Sequence, residues 1–506
     1  MLSRDELSNW RAAERSGDWR APADEGALPR TDAGNGEHFA RRYANEVRYD
    51  YRRGRWLVWA NHWWRDDDRG RVRRLAKEVA RERYLEAVDI TDPDERTREA
   101  KFAIGSENRG RAEAMLLAAQ SEPPIADAGD RWNEDRFLLG VGNGVVDLRS
   151  GDLRAGLPED RITLRTPVTL DLGAACPRWN RFLDEIFGGD TELIEYIGRA
   201  IGYSLTGDVS EQCVFWCWGA GANGKTVLLT ILRELAGDYA ANTPFATFEL
   251  RDRATIPNDL AALVGRRLVT AAETRDGVRL NEARLKAMSG GDPLTARFLY
   301  RELFTFEPVS KIWLAFNHKP RVGDDSYGFW RRVRLIPFGH QFDDDRDEHL
   351  VEKLRAELPA ILAWAVRQAL SWQAHGLVPP AAVASATAAF RLESDPLAEF
   401  LVEKCLTGPG ATAKAAALYH AYLPGAAALL AGLQLGWAGG SNGMREELVA
   451  DATQPPQSWL RGRTCARWLI SLSNSPRSSP HPAWLCGRIW PRPRGAIGPA
   501  ATGRSA

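Results

Sequence analysis

The stretch Gly219–Thr226, which reads GAGANGKT, decides the fold that this sequence predicts. It fits the pattern G-x-x-x-x-G-K-S/T in full, and it lies between the apolar run Cys213–Trp218 and the helix-like run Thr226–Leu235. Glycines let a backbone turn tightly and direct its N–H groups towards a phosphate, and the start of a helix carries partial positive charge. A chance glycine-rich loop is the alternative, which the strand before and the helix after disfavour.

Two side chains of this loop carry specific phosphate chemistry. Lys225 adds a positive charge near the outer phosphates of a nucleotide, and the hydroxyl of Thr226 can ligate Mg²⁺. The sequence therefore predicts binding of ATP with Mg²⁺. The predicted nucleotide-binding residues are Gly219, Ala220, Gly221, Ala222, Asn223, Gly224, Lys225 and Thr226.

Two further apolar runs end in polar side chains of the kind that hydrolysis needs. The run Arg267–Glu273 places Glu273 at the end of a strand, where ligands bind in such sheets, and this carboxylate could polarise water or hold the metal. The run Lys311–Phe316 is followed by Asn317, whose amide could orient water or touch the γ-phosphate. The alternatives are a surface glutamate at a strand end and an asparagine that caps a turn.

Arg331 and Arg332 precede another apolar run, Val333–Phe338. Arginines before a strand are usually solvated. In a ring-shaped ATPase, however, such an arginine reaches the γ-phosphate held by the neighbouring subunit and stabilises the transition state. Both residues are therefore candidates, with Arg332 preferred.

The order of the apolar runs predicts the organisation of the chain. From Cys213 onwards, short apolar runs alternate with helical segments, which is typical of an α/β domain. Upstream, Asn143-Gly144 between two apolar runs predicts a hairpin. The expected divisions are a flexible arm (1–30), an N-terminal mixed α+β domain (31–190), the α/β domain (191–345), a helical region (346–422, with helices over 349–375 and 381–405) and a low-complexity, disordered tail (423–506).

The bulk composition sets wide limits. The chain has 506 residues, 44% of them hydrophobic, with 67 basic and 67 acidic side chains. A neutral sum does not exclude nucleic acid, because binding depends on local charge. Six cysteines without a C-x-x-C pair disfavour a zinc site and suit a reducing cytoplasm. The N-terminus is charged from its first residues, so no signal peptide is expected. The sequence has no apolar run long enough to span a membrane, so no membrane partner is expected.

The last part of the sequence differs in composition from the rest. Residues 461–506 contain eight arginines and no acidic residue. Such a tail could bind nucleic acid non-specifically, and the alternative is a disordered tail without a defined role. The abrupt shift near Tyr422 also leaves open a frame change in the gene.

Several motifs in a fixed order carry a family resemblance. Besides GAGANGKT they read RLVTAAET, LKAMSGGDPLTARFLY, IWLAFNHKP and FWRRVRLIPF, and upstream pieces such as NGVVDL and CPRW also fit. From about residue 31 to about residue 422, the chain resembles phage and plasmid primase-helicases with a superfamily-three helicase domain. Relatives of that family include poxvirus and satellite-phage replication proteins.

The resemblance implies a fold and an activity. The fold would be an AAA+-like P-loop ATPase core with an N-terminal helicase-associated domain and a helical C-terminal region. The activity would be that of an ATP-dependent DNA helicase in the replication of a phage, prophage or plasmid, assembled as a homo-oligomeric ring, a hexamer, on single-stranded DNA. A separate primase or polymerase would be a further partner.

By position, the resemblance also gives roles to residues. Lys225 and Thr226 would bind phosphate and Mg²⁺, Glu273 would be the Walker B acid that also serves the metal, and Asn317 would be sensor 1. Arg331 or Arg332 would be the arginine finger. Lys286, Gly290, Gly291 and Asp292 would form the motif after Walker B. Arg297, Tyr300 and Arg301 would lie on or near a hairpin in the central pore and contact DNA phosphates and bases, whereas an ordinary amphipathic strand is the alternative.

Three departures from the family pattern qualify these expectations. Ala272 and Thr274 flank Glu273, so Walker B has one obvious acid instead of two. No polymerising domain precedes the helicase-associated region, so primase activity is not expected of these residues. The family pattern also ends near Tyr422. A replication accessory ATPase that binds DNA without unwinding it, and a P-loop kinase or small-molecule ATPase, are the competing hypotheses.

Overall fold

A computed structural model describes residues 28–250, 258–273, 275, 277–297, 303–324, 326–342, 347–395, 405–407, 421 and 470–472. The chain divides into two compact units, Met1–Asp395 and Pro396–Ala506. Nearly all of the predicted arm, up to residue 27, and nearly all of the predicted tail lie outside the described residues. The domain divisions at residues 190 and 345 remain predictions.

Helices and strands alternate along the first unit. The helices are α1 (Asp32–Tyr43), α2 (Arg71–Glu86), α3 (Pro93–Ser106), α4 (Arg109–Ala119), α5 (Pro177–Phe187), α6 (Thr191–Leu205), α7 (Lys225–Ala236), α8 (Asn258–Ala261), α9 (Glu282–Gly290), α10 (Tyr327–Trp330), α11 (Leu350–Ala356), α12 (Leu358–His375) and α13 (Ala381–Glu393). The strands are β1 (Val47–Asp50), β2 (Arg55–Trp59), β3 (Trp64–Asp66), β4 (Ala126–Asp127), β5 (Leu138–Val141), β6 (Gly144–Asp147), β7 (Asp152–Arg154), β8 (Val214–Trp218), β9 (Ala240–Asn242), β10 (Leu268–Glu273), β11 (Leu294–Arg297), β12 (Leu303–Phe306), β13 (Lys311–Phe316) and β14 (Val333–Pro337).

The centre of the first unit is a five-stranded sheet in the order β14-β8-β13-β10-β9, and every neighbouring pair in it is parallel. All six residues of β13, in the middle, are buried. Continuous apolar strands of this kind are typical of a parallel sheet covered on both faces. The predicted α/β arrangement is therefore confirmed. That the sheet is parallel, and that the three-residue strand β9 lies at its edge, was not predicted.

Each face of this sheet has its own hydrophobic core. On one face, α7 packs against β8 and β13 together with α5, α6 and α12, in a cluster that includes Phe215, Cys217 and Trp313. On the other face, Trp216 and Phe316 pack with α9, α10 and α13. Successive side chains of a strand point to opposite faces of the sheet. The two clusters therefore show which face each strand side chain occupies.

Upstream of this sheet lie two smaller sheets. The four-stranded sheet β3-β2-β1-β4 packs against α1, α2 and α4, and the three-stranded sheet β5-β6-β7 follows. The hairpin predicted at Asn143-Gly144 is present but shifted by one residue. Val141 pairs with Gly144, so the turn is formed by Gly142 and Asn143. Gly144, with a φ of 156°, is the first residue of β6.

Two predicted helices differ from the structure. The region 349–375 is divided into α11 and α12, because Glu357 leaves α11 and accepts hydrogen bonds from the backbone N–H groups of Arg178 and Trp179 at the start of α5. The helix predicted over 381–405 ends at Glu393. In the second unit, Cys405–Thr407 (β15) pairs antiparallel with Ile470–Leu472 (β16).

Candidate functional site

The loop Gly219–Thr226 connects the end of β8 to the start of α7, and its shape depends on two glycines. Gly224 caps α7 with a φ of 83°, and a Cβ atom on it would lie 2.5 Å from Cγ2 of Ile186. A Cβ atom on Gly219 would lie 2.3 Å from the carbonyl oxygen of Phe338. At Gly221, by contrast, a Cβ atom would meet nothing within 4 Å. The loop is therefore closely packed at both ends and open in its middle.

Lys225 lies inside the loop and holds its backbone. Its ammonium group donates hydrogen bonds to the carbonyl oxygens of Gly219 (2.7 Å) and Ala220 (2.9 Å) and to Oδ1 of Asn223 (2.9 Å). The side chain is buried, and this burial lowers the pKa of Lys225. All three acceptors are uncharged, so a phosphate oxygen would be a stronger partner for this ammonium.

A segment after β14 supports the loop from outside. The carbonyl oxygen of Phe338 accepts a hydrogen bond from Nδ2 of Asn223 (3.3 Å), and the backbone N–H of Phe342 donates to the carbonyl oxygen of Ala222 (2.8 Å). Nε2 of Gln341 donates to the carbonyl oxygen of Gly221 (3.3 Å). Sequence reasoning missed this support, because no motif marks residues that act through their backbone.

The strand register brings the predicted side chains to one edge of the sheet. Glu273 pairs with Phe316, and Phe316 pairs with Trp218, directly before the loop. Strands β8 and β10 are two strand spacings apart, or roughly 10 Å. Asn317 follows the strand between them. The loop, the amide and the carboxylate therefore end neighbouring strands at the same level. Exposed Thr226 lies in the first turn of α7 at this edge.

Glu273 nevertheless occupies the face of the sheet away from α7. On β10, Val269 and Ala271 belong to the core on the α9 side, and Leu268 belongs to the core on the α7 side. Strand alternation then puts Glu273 on the α9 side and Ala272, which is exposed, on the α7 side. Arg275 binds the buried Glu273 carboxylate through its backbone N–H (2.8 Å) and its guanidinium (2.8 and 3.2 Å).

Arg331 and Arg332 lie at the opposite edge of the sheet. The carbonyl oxygen of Arg332 accepts a hydrogen bond from the backbone N–H of Val214 (2.8 Å), the first residue of β8. The length of β8, roughly 13 Å, separates this point from the phosphate loop. Nη2 of Arg331 donates to Oε1 of Gln212 (2.6 Å), and burial lowers the pKa of Arg332. Neither arginine is brought to the loop of its own chain.

The segment predicted to contact DNA belongs to a β-hairpin. Strands β11 and β12 pair antiparallel, with Arg297 opposite Leu303 at the last described position. Nε of Arg297 is buried and has no hydrogen-bond partner among the described residues. Tyr300 and Arg301 lie outside the described residues.

Two residues of the motif predicted after Walker B have different structural roles: Lys286 makes side-chain contacts, and Gly291 ends a helix. Nζ of Lys286 contacts Oδ2 of Asp324 and donates to Oγ of Ser326 (3.2 Å), so Lys286 binds the loop before α10. Gly291 ends α9 with a φ of 76°.

Parts of the chain match two family models and several viral proteins. A family model described as D5 N terminal like matches residues 36–188, and a family of unknown function matches residues 217–332. A helicase candidate of Acanthamoeba polyphaga mimivirus is 29% identical over 53% of this chain and 30% of its own length. A helicase candidate of Frog virus 3 (25% identity; 58% of this chain, 39% of the relative) and a primase candidate of African swine fever virus (26%; 54% and 31%) also match. The matched parts of the chain resemble viral proteins of the primase-helicase type.

The resemblance stated from the sequence motifs is thereby confirmed. The chain spans between 30% and 39% of the length of those three relatives. Among solved structures, the apo C-terminal region of NrS-1 matches with a TM-score of 0.40 at 9% identity, over 68% of this chain and 71% of that one.

Two buried cations lie at the starts of strands in the five-stranded sheet, and they were not predicted from the sequence. Arg267, before β10, donates to the carbonyl oxygens of Leu205 (2.8 Å) and Leu138 (2.8 Å). Lys311, the first residue of β13, donates to the carbonyl oxygen of Asp208 (3.0 Å) and also contacts that of Thr206. Burial lowers the pKa of both groups, that of Lys311 strongly. The only sequence signal is a cation at the head of an apolar run.

Two searches concern the described part of the chain alone. Within it, no group of three or more His, Cys, Asp or Glu side chains is arranged to hold a metal ion. None of its helices has the length and apolar character needed to cross a bilayer.

Proposed function

We propose that this chain is an ATP-dependent DNA helicase that acts in the replication of a phage, prophage or plasmid. The observation that carries the proposal is the convergence of the Gly219–Thr226 loop, Asn317 and Glu273 on one edge of a parallel sheet. The order of the five strands supports an AAA+-like P-loop core, because Asn317 follows the strand between the loop and the carboxylate. The viral relatives support the assignment to replication.

The loop fits a triphosphate chemically. The ammonium of Lys225 is buried against neutral oxygens, which an anionic phosphate would replace favourably. The open space at Gly221 leaves room over the loop. The hydroxyl of Thr226 would hold Mg²⁺, with Glu273 as the carboxylate that serves the ion directly or through water. A bound Mg²⁺ would neutralise charge that develops on the phosphates.

Each residue of the site has a proposed role in hydrolysis. The backbone N–H groups of the loop and Lys225 bind and orient the phosphates, and Asn317 positions a water molecule that Glu273 polarises. This is catalysis by positioning and electrostatics, without a covalent intermediate. An arginine of a neighbouring subunit, Arg332 or Arg331, would stabilise the transition state. Their place at the edge opposite the loop supports action between subunits of a ring, for which we propose a hexamer.

The β11–β12 hairpin is the proposed contact with single-stranded DNA. Arg297 would bind a phosphate through its positive charge, from the last described position of β11. Tyr300 and Arg301 would add a stacking surface and a second charge. A separate primase or polymerase would supply synthesis.

The test is ATP hydrolysis by the full chain with and without single-stranded DNA, followed by strand displacement and gel filtration. Lys225→Ala should keep the fold and lose hydrolysis. Lys353→Ala is the matched control, because Lys353 is exposed and paired with Asp347. Hydrolysis by Lys225→Ala at the wild-type rate would overturn the assignment of the site.

A replication accessory ATPase that does not unwind DNA is the second candidate. One observation favours it: within β10, Ala272 is the residue at the strand end on the face of the phosphate loop, and Glu273, on the other face, is the one acid of the strand. DNA-stimulated hydrolysis without strand displacement would support this candidate. Hydrolysis that DNA does not stimulate, in a monomer, would instead favour a small-molecule ATPase.

A further inference from the structure

Arg275 binds two carboxylates at the end of β10. Its backbone N–H donates to Oε1 of Glu273 (2.8 Å), and Nη2 donates to Oε2 of the same group (2.8 Å). The same Nη2 also contacts Oε1 of Glu249. Glu273 is therefore gripped on both oxygens by a residue two positions along the chain, and that residue has a second acceptor within reach.

These contacts hold the Glu273 carboxylate away from the phosphate loop, where the proposed hydrolysis needs it. Glu273 lies on the α9 face of the sheet with Val269 and Ala271, whereas Lys225 and α7 lie on the other face. Both faces meet at the strand end, so a rotation of the last side chain is enough to bring the carboxylate over the edge. The contacts with Arg275 oppose that rotation.

Because the Arg275 side chain is exposed to solvent, its ion pair with Glu273 can break and form again. The Arg275 side chain is 65% exposed, whereas those of Glu273 and Glu249 are 9% and 18% exposed. Ion pairs with one solvated partner are weak and are screened by salt. If Glu273 leaves, the guanidinium keeps Glu249 as its partner, so Arg275 is not left without a counter-ion. Hydrogen bonding to Glu273 and the nearby charge of Glu249 raise the pKa of Arg275, so it stays positively charged throughout.

We propose that Arg275 is a positioning residue that restrains Glu273 on the far face of the sheet, and that hydrolysis requires this ion pair to open while Arg275 remains with Glu249. The proposal rests on the proposed function, in which Glu273 polarises water. Glu249 has the opposite effect to Arg275: by competing for the guanidinium, it favours release of Glu273.

Two substitutions with opposite expected signs test this role. In Arg275→Ala, ATP hydrolysis without DNA should rise roughly two- to fivefold, the factor that corresponds to a weak ion pair. Its stimulation by single-stranded DNA should fall towards one. In Glu249→Gln, which leaves Glu273 as the one ionised carboxylate paired with Arg275 among the described residues, hydrolysis without DNA should fall. A merely structural role for Arg275 would lower the rate in both variants together with the unfolding temperature.

Two controls complete the design. Arg98→Ala removes an exposed arginine paired with Glu95 in α3, far along the chain from the site, and should change no rate. Arg275→Ala combined with Glu273→Gln should be inactive, because the added activity passes through Glu273. An active wild type together with an Arg275→Ala variant that is no faster, at an unchanged unfolding temperature, would overturn the restraint alone. Inactivity of every variant would overturn the proposed function as well.

Discussion

The glycines of the phosphate loop give a prediction that needs no nucleotide. Gly224 and Gly221 are three residues apart in the same loop, and both carry only a hydrogen as side chain. Their surroundings differ: an added methyl group at Gly224 would meet Cγ2 of Ile186 at 2.5 Å, and one at Gly221 would meet nothing within 4 Å. Gly224→Ala should therefore destabilise the ligand-free protein, and Gly221→Ala should not.

The size of the difference follows from two terms. Gly224 has a φ of 83°, and an alanine forced into left-handed backbone costs roughly 1–2 kcal/mol. Inserting a methyl group into a packed site costs about 1–3 kcal/mol, because Ile186 is itself buried. The free energy of unfolding should thus fall by about 2–5 kcal/mol in Gly224→Ala. In Gly221→Ala, the smaller entropy of the unfolded chain favours a gain of up to roughly 1 kcal/mol.

Thermal unfolding of the two variants, followed by circular dichroism without nucleotide or Mg²⁺, measures this contrast. Gly224→Ala should unfold several degrees below the wild type, and Gly221→Ala at or slightly above it. The shared loop removes differences in location, and the shared substitution removes differences in chemistry. Equal unfolding temperatures for the two variants would refute the loop geometry, including the packing of its end against α5.

Three further predictions concern other parts of the molecule. Arg332→Ala and Lys225→Ala should each be inactive in ATP hydrolysis. A mixture of the two variants should regain activity, because a mixed ring places an intact phosphate loop next to an intact arginine of the neighbouring subunit. Inactive mixtures would argue against action between subunits. Arg297→Ala should bind single-stranded DNA more weakly in fluorescence anisotropy at an unchanged DNA-independent rate, and Thr295→Ala on the same hairpin should bind like the wild type. The pKa of buried Lys311 is lowered on folding, so the unfolded chain binds the extra proton and stability should rise with pH up to about 10.5. Urea unfolding of Lys311→Met should show a smaller rise over this alkaline range.

The sequence was sufficient for the strands that carry the site. The apolar runs before Gly219, Glu273 and Asn317 predict three strands, and the structure pairs these strands in parallel. The prediction succeeds because a strand buried on both faces must be apolar throughout. It could not give the strand order, because pairing between distant strands leaves no local pattern.

The orientation of Glu273 was also beyond the sequence. A single run, Leu268–Glu273, is apolar on both faces, so its composition does not tell which face each residue occupies. The two cores of the folded protein settle this point. For the same reason, the pairing of Arg275 with Glu249 was unforeseen, because 26 residues separate the partners.

The ends of the strands suggest how such a site can be both rigid and controllable. Buried Arg267 begins β10 and buried Lys311 begins β13, each bound to several carbonyl oxygens. These contacts fix the starting points of the strands that end in Glu273 and Phe316. Backbone hydrogen bonds between parallel strands then set the spacing of the loop, the amide and the carboxylate. The rotation of the Glu273 side chain at the end of β10 remains adjustable. Control of the proposed hydrolysis is therefore expected at Glu273 and Arg275, and not in the assembly of the sheet.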